Sequence, residues 1–229
     1  MTNREHTQAV IDWVRQRTDS VLLFYSAGKD SIALLDLVAP HFKRVVCVFM
    51  YFVPGMEHIQ KYMDYSLLRY PNVEFHEVPH WSLTYTLKAG LYCVPQPDVK
   101  LMKFSDVANN CRLKFGVQWC LYGMKQSDNM NRGIMLRGKD YELQAIHPKT
   151  KNVYPLSVWK NNEVLAYIRQ QRLPEPVRYS YNKKSQGLTF DEDCFVYMRD
   201  NYPEDLKKIL KAFPLAEVIL YKHDHPGEI

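Results

Sequence analysis

Apolar and polar residues in the first half of the chain follow a repeating pattern of amphipathic helices and short buried strands. Residues 7–17 place Val10, Trp13 and Val14 at helical spacing. Short apolar runs rich in β-branched residues follow, which is typical of strands buried on both faces of a parallel sheet. This alternation favours an α/β sheet with helices on both faces. The predicted elements, in order, are helix 7–17, strand 21–25, helix 32–38, strand 44–50, helix 57–69, strand 73–78 and helix 82–88.

The pattern becomes less regular in the second half. Residues 91–103 contain two prolines and no helical or strand period, so they predict a loop. For residues 133–156 we predict a short hairpin or loop with a turn at Lys139–Asp140. We place a boundary near residue 150, with a mainly helical part after it. The remaining predicted elements are helix 105–115, strand 119–124 and helices 162–171, 191–201 and 204–212.

Composition narrows the class of protein. Hydrophobic residues make up 46% and charged residues 24% of the 229 residues, which is typical of a globular chain and excludes disorder. The net charge of +5 is mildly basic and suits an anionic ligand such as a nucleotide. The charged N-terminal segment predicts no secretory signal, and no apolar run approaches the roughly 20 residues of a membrane helix.

The cysteines point to a reducing compartment. There are five, an odd number, and no two of them form a CxxC pair. We therefore expect free thiols rather than a disulfide framework, and a cytoplasmic location. They are Cys47, Cys93, Cys111, Cys120 and Cys194.

The strongest chemical signal is the segment Ser26–Ser31 (SAGKDS), here named the phosphate loop, between the first predicted strand and the next helix. Backbone N–H groups at a helix N-terminus bind phosphate. We expect Gly28 to allow a tight turn and Lys29 to add a positive charge. The loop is not a Walker A motif, because Leu23 and Asp30 replace the glycine and the Ser or Thr of that pattern.

The sequence around this loop resembles the PP-loop of the ATP pyrophosphatase group. The family pattern is SGGxDS after the first strand, and Ser26, Gly28, Asp30 and Ser31 match it. Ala27 replaces the first glycine of the pattern.

A second motif resembles one branch of that group, the phosphoadenosine-phosphosulfate (PAPS) reductase-like family. The segment Gly123–Asp128 (GMKQSD), followed by Arg132, is similar to the branch's phosphate motif GxRxxE followed by an Arg. Lys125 replaces the usual first Arg, and Asp128 replaces the acid. The segment from Tyr154 to Ile168 is also similar to a segment of the branch.

The resemblance implies a Rossmann-like parallel sheet of the adenine-nucleotide α-hydrolase type. It implies a nucleotide-binding PP-loop domain over residues 1–150 and a helical C-terminal extension over 151–229. The cofactors implied are ATP and Mg²⁺, with Asp30 as a magnesium ligand and no iron–sulfur cluster. The implied catalytic residues are Lys29, Asp30, Lys125 and Arg132. The implied nucleotide-binding residues are Tyr25, Ser26, Ala27, Gly28, Lys29, Asp30, Ser31, Gly123 and Asp128, with adenine near Phe49, Met50 and Tyr51.

Three interpretations stay open on sequence grounds. The first is an enzyme that cleaves ATP to AMP and pyrophosphate and adenylates an acceptor, in sulfur metabolism or nucleic-acid modification. The second is a PAPS or adenosine-phosphosulfate reductase, although the chain has no cysteine after Cys194 and lacks the reductases' terminal Glu-Cys-Gly. The third is a nucleotide-binding subunit or sensor without turnover.

The expected partners are an adenine nucleotide and, from the family, a second protein or another copy of the chain. The segment 178–185 (RYSYNKKS) combines two tyrosines with three basic residues. It is our candidate for contact with a second substrate, including a nucleic acid.

Overall fold

A computed structural model describes residues 1–182 and 190–227. Its helices are α1 Asn3–Arg15, α2 Lys29–Val38, α3 Glu57–Arg69, α4 Leu83–Ala89, α5 Phe104–Phe115, α6 Met130–Leu136, α7 Asn161–Gln170, α8 Glu192–Asn201, α9 Pro203–Ala212 and α10 Ala216–Asp224. Its strands are β1 Ser20–Tyr25, β2 Arg44–Tyr51, β3 Val73–Pro79, β4 Cys120–Leu121, β5 Ile146–His147 and β6 Asn152–Val153.

The described strands form one sheet in the order β3-β2-β1-β4-β6-β5. Neighbours pair in parallel along the sheet except at the edge, where β5 runs antiparallel to β6. The predicted α/β class with a mostly parallel sheet is confirmed. Successive residues of the central strands are buried on both sides, since Leu22 and Leu23 are both fully inaccessible.

Helices cover both faces of this sheet, and alternate strand residues belong to different halves of the core. Leu23 and Cys47 pack in a large apolar cluster that includes residues of α1, α2, α3 and α7 to α10. Leu22 and Val46 pack on the opposite face against residues of α5 and α6. The period of two along the strands therefore produces two apolar layers.

The hairpin lies further along the chain than we predicted. Its strands β5 and β6 flank a turn over residues 148–151, not a turn at Lys139–Asp140. Part of the predicted hairpin or loop is instead helix α6. This helix begins after Asn129, whose side chain accepts a hydrogen bond from the Arg132 N–H at 2.9 Å. Strand β4 is also shorter than predicted.

The C-terminal part is helical as predicted, with one additional helix. Helices α8 and α9 match the prediction, whereas α10 was not predicted. It forms a helix because its buried residues Ala216 and Leu220 lie one turn apart and join the core. Residue 150, the sequence-based boundary, lies within the β5–β6 hairpin, and the core continues across it. Among residues 1–182 and 190–227, no helix is both long and apolar enough to cross a membrane.

Candidate functional site

The phosphate loop joins the end of β1 to the first turn of α2, at the edge where the parallel strands end. The first N–H groups of a helix have no partner within the helix, and no side chain caps α2. Together with the positive end of the helix dipole they form a place for an anion. The loop that we expect to bind phosphate therefore lies at the carboxyl end of a central strand. Ligands bind at this end of the strands in open α/β sheets.

The left-handed turn of this loop is at Ala27, not at the glycine. Ala27 has φ +54°, whereas Gly28 has φ −80° and ψ 163°, which any residue adopts. Our expectation that Gly28 supplies the tight turn is therefore wrong. A Cβ on Gly28 would lie 3.2 Å from Ser26 Oγ, so the glycine leaves room for that hydroxyl.

Two serines close the loop on itself. Ser31 Oγ donates to the Gly28 carbonyl at 3.0 Å and accepts from the Ser26 N–H at 3.1 Å. The Ser26 and Ser31 hydroxyls lie 3.3 Å apart. From outside the loop, the Val177 N–H donates to the Ala27 carbonyl at 3.0 Å. These contacts fix the loop in one conformation.

The four predicted catalytic residues and Asp128 form one chain of alternating charges, here named the charge chain. Lys29 Nζ lies 3.0 Å from Asp30 Oδ2, and Lys125 Nζ lies 2.7 Å from Asp30 Oδ1. Lys125 Nζ is also 2.8 Å from Asp128 Oδ1, and Arg132 donates to Asp128 Oδ2 at 2.8 Å. Both contacts of the Lys125 ammonium are ion pairs without hydrogen-bond alignment. The structure thus brings together two motifs that are almost 100 residues apart.

Asp128 is ionised and Lys125 is enclosed within this chain. Burial by itself raises the pKa of the Asp128 carboxyl, but the hydrogen bond that the Lys125 backbone N–H donates at 2.8 Å and the charges of Lys125 and Arg132 outweigh it. The pKa therefore lies below its ordinary value. The Lys125 side chain is 0% exposed, so its ammonium contacts the carboxylates of Asp30 and Asp128 instead of solvent.

Gly123 permits the two motifs to approach each other. A Cβ at this position would lie 3.0 Å from the Cβ of Asp30 and 3.2 Å from its carbonyl carbon. The chain after β4 therefore packs directly on the first turn of α2, and Lys125 follows two residues later.

A cavity of about 240 Å³ adjoins Tyr25 at the end of β1 and Ser26 at the start of the phosphate loop. The three residues predicted to lie near adenine, Phe49, Met50 and Tyr51, line it. The charge chain is not part of its wall. Tyr179, from the segment 178–185, also lines it. The other described lining residues, which sequence reasoning missed, are Phe52, Val53, Met56, His58, Ile59, His80, Ser82 and Ile209.

His58 is a buried polar residue among those that were missed, and Asp205 fixes the position of its ring. His58 Nδ1 lies 2.7 Å from Asp205 Oδ2. Asp205 also accepts the backbone N–H groups of Glu57 and His58 at 2.8 and 2.9 Å, so it caps α3 from helix α9. No local pattern signals this pair, because 147 residues separate its members.

Of the segment 178–185, the structure describes residues 178–182. Tyr179 lines the cavity, and Tyr181 donates to Asp200 on the surface at 2.9 Å. Lys183 and Lys184 lie outside the described residues.

None of the five cysteines forms a disulfide, as predicted, and all are buried. Burial raises the pKa of the Cys47, Cys93, Cys111 and Cys120 thiols, which keeps them protonated. No cysteine is among the described residues that line the cavity.

Neither a protein-family model nor a curated protein matches the sequence. Among solved structures, the chain is similar to an NH3-dependent NAD synthetase from Campylobacter jejuni subsp. jejuni, crystallised with nitrate. The identity is 15%, the similarity covers 100% of this chain and 98% of that one, and the TM-score is 0.47. This similarity is too distant to assign an activity.

Proposed function

We propose that this protein binds ATP, cleaves it between the α and β phosphates and transfers the adenylyl group to an acceptor, releasing pyrophosphate. The observation that carries the proposal is the charge chain beside the uncapped N-terminus of α2. Three cationic side chains and a helix N-terminus lie at one edge of the sheet, next to an apolar cavity of suitable character for a base.

In the proposed reaction the nucleotide's phosphates lie on the phosphate loop, and the base lies in the cavity. The acceptor attacks the α phosphorus, the bond from that phosphorus to the bridging oxygen breaks, and the electron pair leaves with pyrophosphate. Lys29, Lys125 and Arg132 stabilise the charge that develops on the leaving group. Catalysis of this kind depends on position and electrostatics and needs no nucleophilic side chain.

Magnesium would arrive with the phosphates of the nucleotide. Each oxygen of the Asp30 carboxylate already contacts a lysine ammonium, so a metal bound by Asp30 has to displace one of them. Within the part of the chain that the structure describes, no three acidic, cysteine or histidine side chains form a cage for a metal. Asp30 as a magnesium ligand stays a prediction.

The burial of the cysteine thiols favours adenylation over reduction as the activity of this protein. A reductase of the known type needs a reactive thiolate to take sulfite from the nucleotide. The cysteines are buried, and burial holds the pKa of four of them above the ordinary value. More specifically, we propose that the protein belongs to the PAPS reductase-like branch. We also propose that its acceptor belongs to sulfur metabolism or nucleic-acid modification.

The test is incubation of the protein with ATP labelled at the α phosphate, alone and with sulfate or duplex DNA. We expect labelled AMP or a labelled adenylate together with pyrophosphate. Lys29→Ala, Asp30→Ala and Ser31→Ala should each reduce pyrophosphate release about 100-fold, because each removes a group beside the phosphates. Circular dichroism checks that the variants fold.

Lys43→Ala is the matched control, because Lys43 forms only a surface ion pair with Asp19 at 3.0 Å. It should release pyrophosphate at the wild-type rate. Unchanged release in all three loop variants would contradict the assignment. Sulfite release from PAPS with thioredoxin, and no product from ATP, would favour the reductase.

A further inference from the structure

One nitrogen of the His58 ring is buried at the cavity without a partner. Nδ1 contacts Asp205, whereas Nε2 has no hydrogen-bond partner within residues 1–182 and 190–227. The residue is 2% exposed and lines the cavity. Buried polar atoms are rarely left unpaired, so this atom points to a group that occupies the cavity.

The surroundings of the ring fix its protonation. Asp205 accepts three N–H groups, and these outweigh the effect of burial and keep the pKa of its carboxyl below the ordinary value. Nδ1 therefore carries a proton and donates it to the carboxylate. Burial lowers the pKa of His58, and Lys61 and Lys208 lower it further, although Asp205 acts in the opposite direction. The ring is neutral, so Nε2 is a hydrogen-bond acceptor.

The cavity restricts what can donate to this nitrogen. It adjoins the phosphate loop at Ser26, and Phe49, Tyr51 and Tyr179 are among its walls. An occupant that satisfies all of these features is a flat heterocycle joined to phosphates, with an N–H group on the edge that faces His58.

We propose that His58 is a specificity-determining residue that accepts a hydrogen bond from the exocyclic amine of adenine, and that Asp205 is the positioning residue that orients its ring. The inference rests on the proposed function, since it requires an adenine nucleotide. It applies equally to ATP and PAPS, because both carry the same base. Guanine has a carbonyl oxygen in place of this amine, and two acceptors would then face each other.

The test is equilibrium binding of ATP and of purine riboside triphosphate, the analogue that lacks the exocyclic amine, to the full chain. Wild type should bind ATP about tenfold more tightly, because the analogue leaves Nε2 unpaired. His58→Phe should bind the two ligands equally. His58→Gln, which carries an amide oxygen near the position of Nε2, should restore part of the preference.

His76→Phe is the matched control. His76 lies on β3, packs against Phe115 with ring centroids 4.3 Å apart and is not among the cavity's lining residues. This variant should keep the full preference for ATP. Asp205→Asn should reduce the ratio of the affinities for ATP and the analogue. A purely structural effect would weaken the binding of both ligands alike and would leave this ratio unchanged.

The outcomes separate the two proposals. Equal affinity of wild type for ATP and the analogue overturns the role of His58 and leaves the proposed function standing. Full preference in His58→Phe does the same. Failure of wild type to bind either nucleotide overturns the proposed function, and the role of His58 with it. The comparison of ligands on wild type needs no variant, so misfolding of His58→Phe does not weaken the test.

Discussion

Ala27 holds a left-handed backbone conformation at the centre of the phosphate loop, with φ +54° and no exposed surface. For a residue with a Cβ, this conformation costs about 1 kcal/mol or more. The PP-loop pattern that the sequence resembles has glycine at this position, which adopts the left-handed conformation without this cost. The serine and Val177 contacts on either side hold the residue in place.

Ala27→Gly should therefore be close to neutral. Relief of the strain offsets the loss of a buried methyl group and the greater freedom of glycine in the unfolded chain, so the free energy of unfolding should change by less than about 1 kcal/mol. Ala33→Gly, at a buried position within α2, should lower it by about 2 kcal/mol. Urea denaturation of both variants measures the difference. An equal loss in both would show that Ala27 is unstrained.

At the residue scale, the sequence shows the two motifs of the candidate site but not all of its members. The motifs around Asp30 and Lys125 were visible in the sequence, because phosphate loops depend on local order and spacing. Only the resemblance led us to expect that the two motifs meet. The distances between their side chains could not be predicted from the sequence. His58 was missed because its partner Asp205 lies on a different helix, and no spacing rule connects the two.

At the scale of elements, Asp205 joins helix α9 to the first turn of α3. It accepts two backbone N–H groups of α3 and the His58 ring, and Lys208 Nζ lies 3.2 Å from its other side. A single buried carboxylate thus caps one helix from another. This contact fixes the first turn of α3, which contributes His58 and Ile59 to the wall of the cavity.

Removing this charge should destabilise the protein in a manner that depends on pH. Asp205→Asn should lower the free energy of unfolding by about 2–4 kcal/mol at neutral pH. The folded pKa of Asp205 is depressed, so its stabilisation is present above the unfolded pKa of about 4 and is lost as the pH falls through the folded pKa. The difference between wild type and variant should therefore shrink below about pH 4. A constant difference in denaturation curves from pH 7 to 3 would contradict this.

Most elements followed from the hydrophobic pattern, and the exceptions have physical causes. Helix α6 was missed because its buried residues, Gly133 and Leu136, give a short sequence little apolar signal. Helix α10 was missed because His223 and Asp224 at its end resemble a polar tail. Both helices take their stability from tertiary packing rather than from local propensity.

At the scale of the whole molecule, the cysteines are distributed through the core. Cys47 lies in the central sheet and Cys194 in the C-terminal helices, and both are in the large apolar cluster. The reactivity of the thiols should therefore measure global unfolding rather than the chemistry of a redox site.

The native protein should react slowly with Ellman's reagent, and all five thiols should react at once in guanidinium chloride. Burial hides the sulfur atoms, and the raised pKa of four of them suppresses the thiolate. Titration of free thiols with and without denaturant measures this. One thiol that reacts rapidly in the native protein would revive the reductase as a candidate.

The charge chain compensates most of its own charge. Its two aspartates neutralise two of its three cations, so only one positive charge in the array is uncompensated. Each cation contacts an aspartate, which offsets the repulsion between the three cations. In the proposed reaction, the cations would exchange their aspartate partners for the phosphates of the nucleotide, and the array would not have to be assembled on binding.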